Sequence, residues 1–277
     1  ALQMLLDRGQ LLDWFASLEI IIEALLAGFA LYLFVVHIFT HDQPFIEPGL
    51  FKDRNFSVGL VMIFVVGLIL LTTMALLPPF LQSLLGYPVI DVGFLLAPRG
   101  MGTMVAMMLV GRLMGRVDVR HMILFGLLLT SFSLWEMTRF NANIDAWDIV
   151  WTGMGQGFGL GLIFVPLAAT TFSSLDVRYR NEGTALFSLM RNIGSSIGIS
   201  IAMTYFAQRL QANHAAFADY INPFSLPLRQ AIEAGAYSLS SPQGLAAINA
   251  EVTRQAAMLA YLQDFRLMMW VTLAAVP

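Results

Sequence analysis

Cysteine is absent from this chain of 277 residues, and charged side chains are scarce. The lack of cysteine excludes disulfides, iron–sulfur clusters and thiolate zinc sites. Four scattered histidines form no evident metal site, so we expect neither a metal nor a cofactor. Charged residues make up 12% of the chain, where soluble domains carry roughly 25%. The net charge is −3 and the chain has no run of basic residues, so the sequence does not predict nucleic-acid binding.

Long uncharged segments take the place of the missing charges. Residues 55–90 contain no Asp, Glu, Lys or Arg, and about 20 apolar residues are enough for a helix to cross a bilayer. Hydrophobic residues make up 58% of the chain, and the mean hydropathy is +0.73. The runs are apolar on all sides, whereas β-barrel strands alternate. The sequence therefore predicts an all-α, polytopic membrane helical bundle.

Seven helical stretches are predicted from hydropathy. Glycine and proline inside several of them are tolerated in membrane helices. The predicted stretches cover residues 17–37, 56–81, 92–115, 121–138, 149–174, 183–208 and 265–277.

Basic residues alternate along the links between these stretches, and cytoplasmic loops collect Lys and Arg. Three links are rich in basic residues and are predicted to be cytoplasmic: they carry Lys52 and Arg54; Arg112, Arg116 and Arg120; and Arg178 and Arg180. The other short links carry only Arg139. Residues 1–16 and the long segment 209–264 are therefore predicted to lie outside.

The outer segment 209–264 contains its own helix signal. Ser241 followed by Pro242 is typical of an N-cap with proline in the first turn. Apolar residues then recur on one face, at Leu245, Ile248, Val252, Ala256 and Leu259. We expect a short amphipathic helix that runs into the last span; the alternative is a solvated connector.

The link after the third stretch carries a recognisable pattern of glycines and arginines. Its residues resemble the signature loop of the major facilitator superfamily, Gly-x-x-x-Asp-Arg-x-Gly-Arg-Arg. The residues expected to form a cytoplasmic gate loop are Gly111, Arg112, Gly115, Arg116, Asp118 and Arg120. Gly115 stands where the pattern has Asp, and Asp118 where it has the second Gly, which suits the degenerate copy in the second half of such transporters.

Four further segments extend this resemblance along nearly the whole chain. Residues 7–15 and 43–56 resemble the loops flanking an extra helix in the fourteen-span drug:proton antiporters of the EmrB/QacA type. Residues 96–103 and 187–198 resemble later spans of that family. The resemblance implies a C-terminal half: an outer loop and extra helix at 1–38, a cytoplasmic linker at 39–55, and a six-helix bundle at 56–277 with a truncated last span.

The resemblance also implies a function. It predicts a multi-pass protein of the bacterial inner membrane that exports lipophilic drugs or toxic compounds by proton antiport with alternating access. Its partners would be membrane lipid, a small lipophilic substrate, protons, the missing N-terminal half and, by analogy, a periplasmic adaptor. The alternatives are transport of a siderophore, lipid or metabolite, or a non-transport membrane protein.

Ionisable and polar residues inside the spans are the candidates for the substrate cavity or for coupling, because such groups are costly in lipid unless paired or wetted. These candidates are Arg99, Gln156, Arg191 and Asn192. Each arginine either binds an anion or pairs with an acid of the missing half; the alternative is a snorkelling or helix-locking role. Gln156 either reaches the cavity or bonds a neighbouring helix.

Glycines spaced four apart predict close helix packing in the fifth and sixth stretches. The alternative is that these helices flex during transport, and the positions expected to do so are Gly155, Gly159, Pro166, Gly194 and Gly198.

Acids are missing from the interiors of the second, third, fifth and sixth stretches. We therefore expect the titrating carboxylate of a proton antiporter to lie in the missing half. Glu23 is predicted to have a surface or packing role in the extra helix, and Glu136 to pair with Arg139 at the outer rim.

A membrane enzyme and a channel are the two alternatives to a transporter. An integral membrane enzyme would need a Gly-x-Ser-x-Gly elbow, a His-Glu-x-x-His site or a paired His and Asp, and none occurs. We therefore predict no enzymatic activity. A channel would present rings of like polar residues, which scattered arginines do not provide.

Overall fold

The computed structural model describes residues 17–40, 47–221 and 241–276, together with residues 4, 5, 8, 15, 226, 229 and 230. Most of the motif at 7–15, and residues 43–46 and 222–225, lie outside the described residues. Within the described residues the chain is helical and has no β-strand, which confirms the all-α prediction. The described residues form seven long helices: α1 Leu18–Thr40, α2 Arg54–Pro79, α3 Val89–Leu113, α4 Val119–Met137, α5 Ala146–Ser173, α6 Arg180–Asp219 and α7 Pro242–Ala274.

In the part of the chain that the structure describes, five helical segments are long and apolar enough to cross a membrane, and they include α1, α2, α3, α5 and α6. The helices α4 and α7 occupy predicted positions but do not belong to this group. A buried helix needs less apolar surface because its polar groups face neighbouring helices. Both helices do bury serine, threonine or aspartate side chains.

Side chains that cap helix N-termini account for several differences from the predicted ends. Asp53 accepts hydrogen bonds from the backbone N–H groups of Asn55 (2.8 Å) and Phe56 (3.1 Å), so α2 begins two residues earlier than predicted. Asp118 accepts from the N–H of Arg120 at 2.9 Å and starts α4. Ser241 accepts from the N–H of Gly244 at 3.1 Å, which confirms the predicted cap of α7.

The outer segment 209–264 is far more helical than a connector. α6 runs on to Asp219 and has 40 residues, or about 60 Å at 1.5 Å per residue, roughly twice the hydrocarbon thickness of a bilayer. α7 is a single helix of 33 residues that covers the segment predicted to be amphipathic and most of the predicted last span. The sixth helix thus does not end near residue 208 as predicted, because no glycine or proline interrupts it there.

The helices pack as a central layer with flanking partners. α5 lies between α3 and α4 and also touches α2, while α2 packs along α6. α7 packs against α6, α4 and, more lightly, α2. The extra helix α1 stays at the edge, with most of its leucine, isoleucine and phenylalanine side chains exposed.

Two main clusters of buried apolar side chains lie at opposite ends of the bundle. The outer aromatic cluster (Phe80, Phe140, Tyr261 and Phe265) joins the outer ends of α2, α4 and α7. An inner cluster, which includes Phe56, Leu60 and Phe187, joins the inner ends of α2 and α6.

Candidate functional site

Arg99 is the buried cation of the bundle. It follows Pro98 on α3, and only 6% of the residue is exposed. Its Nη2 donates a hydrogen bond to the backbone carbonyl of Leu70 on α2 at 3.2 Å. Among the described residues no carboxylate lies within ion-pair distance of Arg99. A guanidinium keeps its proton in proteins, so this site holds a positive charge without a counter-ion.

A pocket of about 330 Å³ opens beside Arg99, between α2 and α3. Its walls are mainly apolar, and Arg99, Gly100 and Thr103 complete them. The apolar side chains lining the pocket are Leu70, Met74, Leu77, Pro78, Leu96 and Ala97. The arrangement has the chemistry of a site for an apolar body that carries one negative group.

Arg191 and Asn192 lie apart from this pocket, on the inner half of α6. Arg191 is half-buried and Asn192 is exposed, and neither lines the pocket. The backbone carbonyl of Arg191 faces Gly67 of α2. The Ser195 hydroxyl donates to the carbonyl oxygen of Arg191 at 2.8 Å and to that of Gly67 at 3.2 Å. The structure therefore does not bring the predicted cavity residues together in one place.

Gln156 lies on α5 and is fully buried. Its Nε2 donates to Thr73 Oγ1 on α2 at 3.1 Å, whereas its Oε1 has no partner. The side chain joins two helices in the bundle interior and does not line the Arg99 pocket.

The glycines of α5 sit on two faces of the helix. Gly157 and Gly161 face α3: a Cβ added at Gly161 would lie 2.7 Å from the Ala106 Cβ. Gly155 and Gly159 face α4: a Cβ added at Gly155 would lie 2.9 Å from Ser133 Oγ. The predicted close packing is thus present on both sides of α5. The flexing role of these glycines and of Pro166, which is buried within α5, stays a prediction.

Gly194 and Gly198 bring α6 against α2 in the same way. A Cβ added at Gly198 would lie 2.5 Å from Thr72 Oγ1 and 2.8 Å from the Leu68 carbonyl oxygen. The Gly-x-x-x-Gly spacing of α6 therefore marks a helix contact.

The predicted gate loop lies at the inner end of α3 and α4 and is exposed. α3 ends at Leu113, so Gly111 and Arg112 belong to its last turn, while Gly115 has a φ of +91° that favours glycine. Arg116 is exposed in the turn, and Arg120 lines a second pocket of about 410 Å³ with Arg54. No acid pairs with these arginines among the described residues.

Comparisons with known proteins agree with this bundle. Residues 9–199 match the family described as Major Facilitator Superfamily. The chain belongs to the major facilitator superfamily. It is 33% identical to the fatty acid resistance protein FarB of Neisseria gonorrhoeae, over 92% of this chain and 50% of FarB. It is 32% identical to the multidrug export protein EmrB of Escherichia coli strain K12, over 81% of this chain and 44% of EmrB.

These relatives confirm the predicted resemblance to drug:proton antiporters of the EmrB type. A third relative, the probable multidrug resistance protein EmrY of Escherichia coli strain K12, is 31% identical over 96% of this chain and 52% of its own length. The chain spans about half the length of the curated relatives it matches. As a bacterial member of this superfamily, it is a multi-pass protein of the inner membrane.

One buried acid escaped the sequence analysis. Asp264 on α7 is 0% exposed, and neither carboxylate oxygen has a hydrogen-bond partner among the described residues. It stands one residue before the predicted last span, so the sequence places it in the outer segment. The sequence offers one local hint: Tyr261 and Met268 stand three residues before it and four after it, on the same face of a helix.

The rim acids and bases behave as expected. Glu136 and Arg139 form the predicted pair, with 3.5 Å between Oε1 and Nη1, and Arg139 also lies 3.6 Å from the centre of the Trp135 ring. Glu23 is half-buried in α1, and its Oε2 has no partner.

Proposed function

We propose that this chain is the C-terminal half of a secondary active transporter that exports lipophilic compounds in exchange for protons, by alternating access. The family supports transport, and the half-length match to FarB and EmrB supports a partner bundle elsewhere in the protein. Such transporters place the substrate between two bundles that rock about it.

The observation that carries the proposal is the apolar pocket at Arg99. A pocket of about 330 Å³ is at the lower end of the range for small-ligand sites, roughly 300–1,000 Å³. Its walls accommodate an alkyl or aromatic body, and the uncompensated guanidinium attracts a carboxylate or sulfonate. We therefore propose that lipophilic anions are among the substrates. The names of FarB, a fatty acid resistance protein, and EmrB, a multidrug export protein, are consistent with this class.

The partners follow from the same proposal. The bundle would work with membrane lipid, protons and the other half of the transporter, and a periplasmic adaptor would receive the substrate in a two-membrane host. The long outer ends of α6 and α7 would stand on the side where such an adaptor lies. We expect no nucleic acid, cofactor or chemical conversion of the substrate.

The experiment is a transport assay with the full-length protein in proteoliposomes that contain a pH-sensitive dye. The substrate should be an alkyl sulfonate, because a sulfonate stays ionised and carries no proton through lipid by itself. We expect proton movement that depends on the sulfonate and on the protein. Proton movement equal to that of protein-free liposomes, with every sulfonate and lipophilic cation tried, would reject the proposal.

A further inference from the structure

Asp264 is an acidic residue in a position where a charge is unfavourable. It lies in α7 and is 0% exposed, and neither of its carboxylate oxygens has a hydrogen-bond partner among the residues that the structure describes. The carboxylate of an aspartate normally accepts several hydrogen bonds or pairs with a cation when it is buried. Here it does neither.

The surroundings of Asp264 are apolar and tightly packed. Phe265 follows it directly, and its ring centre lies 5.9 Å from that of Phe80 and 6.3 Å from that of Phe140. Tyr261, one turn earlier on the same face, lies 5.4 Å from Phe80. The outer aromatic cluster therefore packs against the residues on either side of Asp264, and Asp264 itself has no exposed surface.

No cation compensates the carboxylate among the described residues. On α7 itself, Glu251 pairs with Arg254, and Arg266 is exposed. On the outer half of α4, Glu136 pairs with Arg139. On the outer half of α6, Arg209 lies over the Tyr205 ring, His214 contacts Asn249 of α7, and Asp219 is exposed. On α2 the single charged residue is Arg54, at the opposite end.

An ionised carboxylate in such a place costs several kcal/mol, whereas the protonated form carries no net charge. We propose that Asp264 is a proton-binding site of this transporter, protonated in the conformation seen here and deprotonated when α7 moves and water reaches it. In the first step a hydronium ion in the outer-side water loses a proton and becomes water, and that proton forms an O–H bond with one Oδ of the carboxylate. In the second step that bond breaks and the proton passes to water on the inner side.

The inference rests on the proposed proton antiport and adds to it an acid in this half. The sequence alone placed the titrating group in the other bundle. With Asp264, the charge of the C-terminal bundle would change during the cycle. The ionised carboxylate would then favour a position of α7 in which water reaches it.

The test uses Asp264→Asn in the full-length protein, because asparagine keeps the shape and removes the titration. Asp91→Asn at the outer start of α3 is the matched control, since Asp91 is exposed. Two activities are measured in proteoliposomes: substrate-driven proton movement, and exchange of labelled substrate at equal pH on both sides. We expect Asp264→Asn to lose proton movement and keep exchange, while Asp91→Asn keeps both.

Each outcome decides a different question. If the wild type moves no protons, the proposed antiport itself fails. If the wild type moves protons and Asp264→Asn does so equally well, antiport stands and the assignment of Asp264 is wrong. If Asp264→Asn fails to fold, Asp264→Glu decides: a shifted pH profile of transport supports the assignment, and an unchanged profile overturns it.

Discussion

Gln156 of α5 donates a hydrogen bond to Thr73 of α2 at 3.1 Å, and neither side chain is exposed. This bond crosses the interface between the two central helices, where no water can replace it. The second amide atom, Oε1, has no partner, so the amide is only half satisfied.

Gln156→Leu tests whether this residue joins helices or meets substrate. Leucine fills a similar volume and removes both the bond and the unpaired oxygen, so we expect a loss of about 1 kcal/mol or less in stability. Transport should persist, because Gln156 does not line the Arg99 pocket. Melting in detergent and export from cells measure the two effects. Abolished export with unchanged melting would instead place Gln156 in the substrate path.

A second prediction concerns the close contact between α5 and α3 at Gly161. Gly161→Ala should destabilise the protein by about 1–3 kcal/mol, because the new Cβ would lie 2.7 Å from the Ala106 Cβ and 2.8 Å from the Thr103 carbonyl oxygen. Gly153→Ala is the matched control: its Cβ would lie 3.9 Å from the Arg99 Cβ, an ordinary contact. Thermal melting of both variants checks this, and equal melting temperatures would show that α3 and α5 do not pack so closely.

Arg99→Met should separate substrates by charge. The change removes a buried, unpaired cation but keeps a long side chain, so we expect stability to be kept or raised. Export of alkyl sulfonates should be lost, while export of uncharged lipophilic compounds continues. Arg178→Met, at an exposed inner position, serves as the control. Equal sulfonate transport by the wild type and Arg99→Met would show that the pocket does not select anions.

Arg191→Ala should abolish export while expression stays normal. The side chain is half-buried on α6, and no carboxylate pairs with it among the described residues, so it is available to an acid or substrate in the other half. Resistance assays and membrane immunoblots measure the two effects. Wild-type resistance would remove Arg191 from the functional residues.

The cap of α2 predicts a pH effect on stability. A hydrogen bond with Ser174 lowers the pKa of Asp53 from its ordinary value of 3.8; burial opposes this, and the N–H groups of Phe56 and Asn55 support it. Because the pKa is lower in the folded state, the stabilisation is complete above the unfolded pKa, about 4, and is lost as pH falls through the folded pKa.

Asp53→Ala should therefore destabilise the protein by about 0.5–2 kcal/mol near neutral pH. The difference from the wild type should shrink once the pH falls below about 4. Melting curves of both proteins at several pH values measure this difference. Ser174→Ala is the control: it keeps Asp53 but removes the hydrogen bond that lowers its pKa, so the loss of stability at acidic pH should begin at a higher pH than in the wild type. A difference that is the same at every pH would mean that the carboxylate charge plays no part in the cap.

Much of the fold could be predicted because the deciding signals are local. A helix crosses lipid when its own side chains are apolar, and a cap forms when Ser241 or Asp53 stands at the right position before it. The same is true of the pair Glu136–Arg139, whose members are three apart across the end of α4. The end of α6 was misplaced because its outer extension is polar, and polarity does not distinguish an exposed helix from a connector.

The site was predictable only as a set of residues. Arg99 and Gln156 could be picked out because polar groups in lipid are costly, but their partners, the Leu70 carbonyl and Thr73, are 29 and 83 residues away in the chain. Asp264 could not be recognised as buried because α7 is covered by α6, α4 and, more lightly, α2, and the sequence does not show that packing. The sequence by itself determined that this is a bundle of membrane helices and where most of them start. Both properties depend on the residues of each helix alone: its apolar side chains and the capping residue before it. Only the tertiary structure decided which glycine faces which helix, which cation borders the pocket and which acid is sealed from water, because those properties belong to the surfaces that neighbouring helices share.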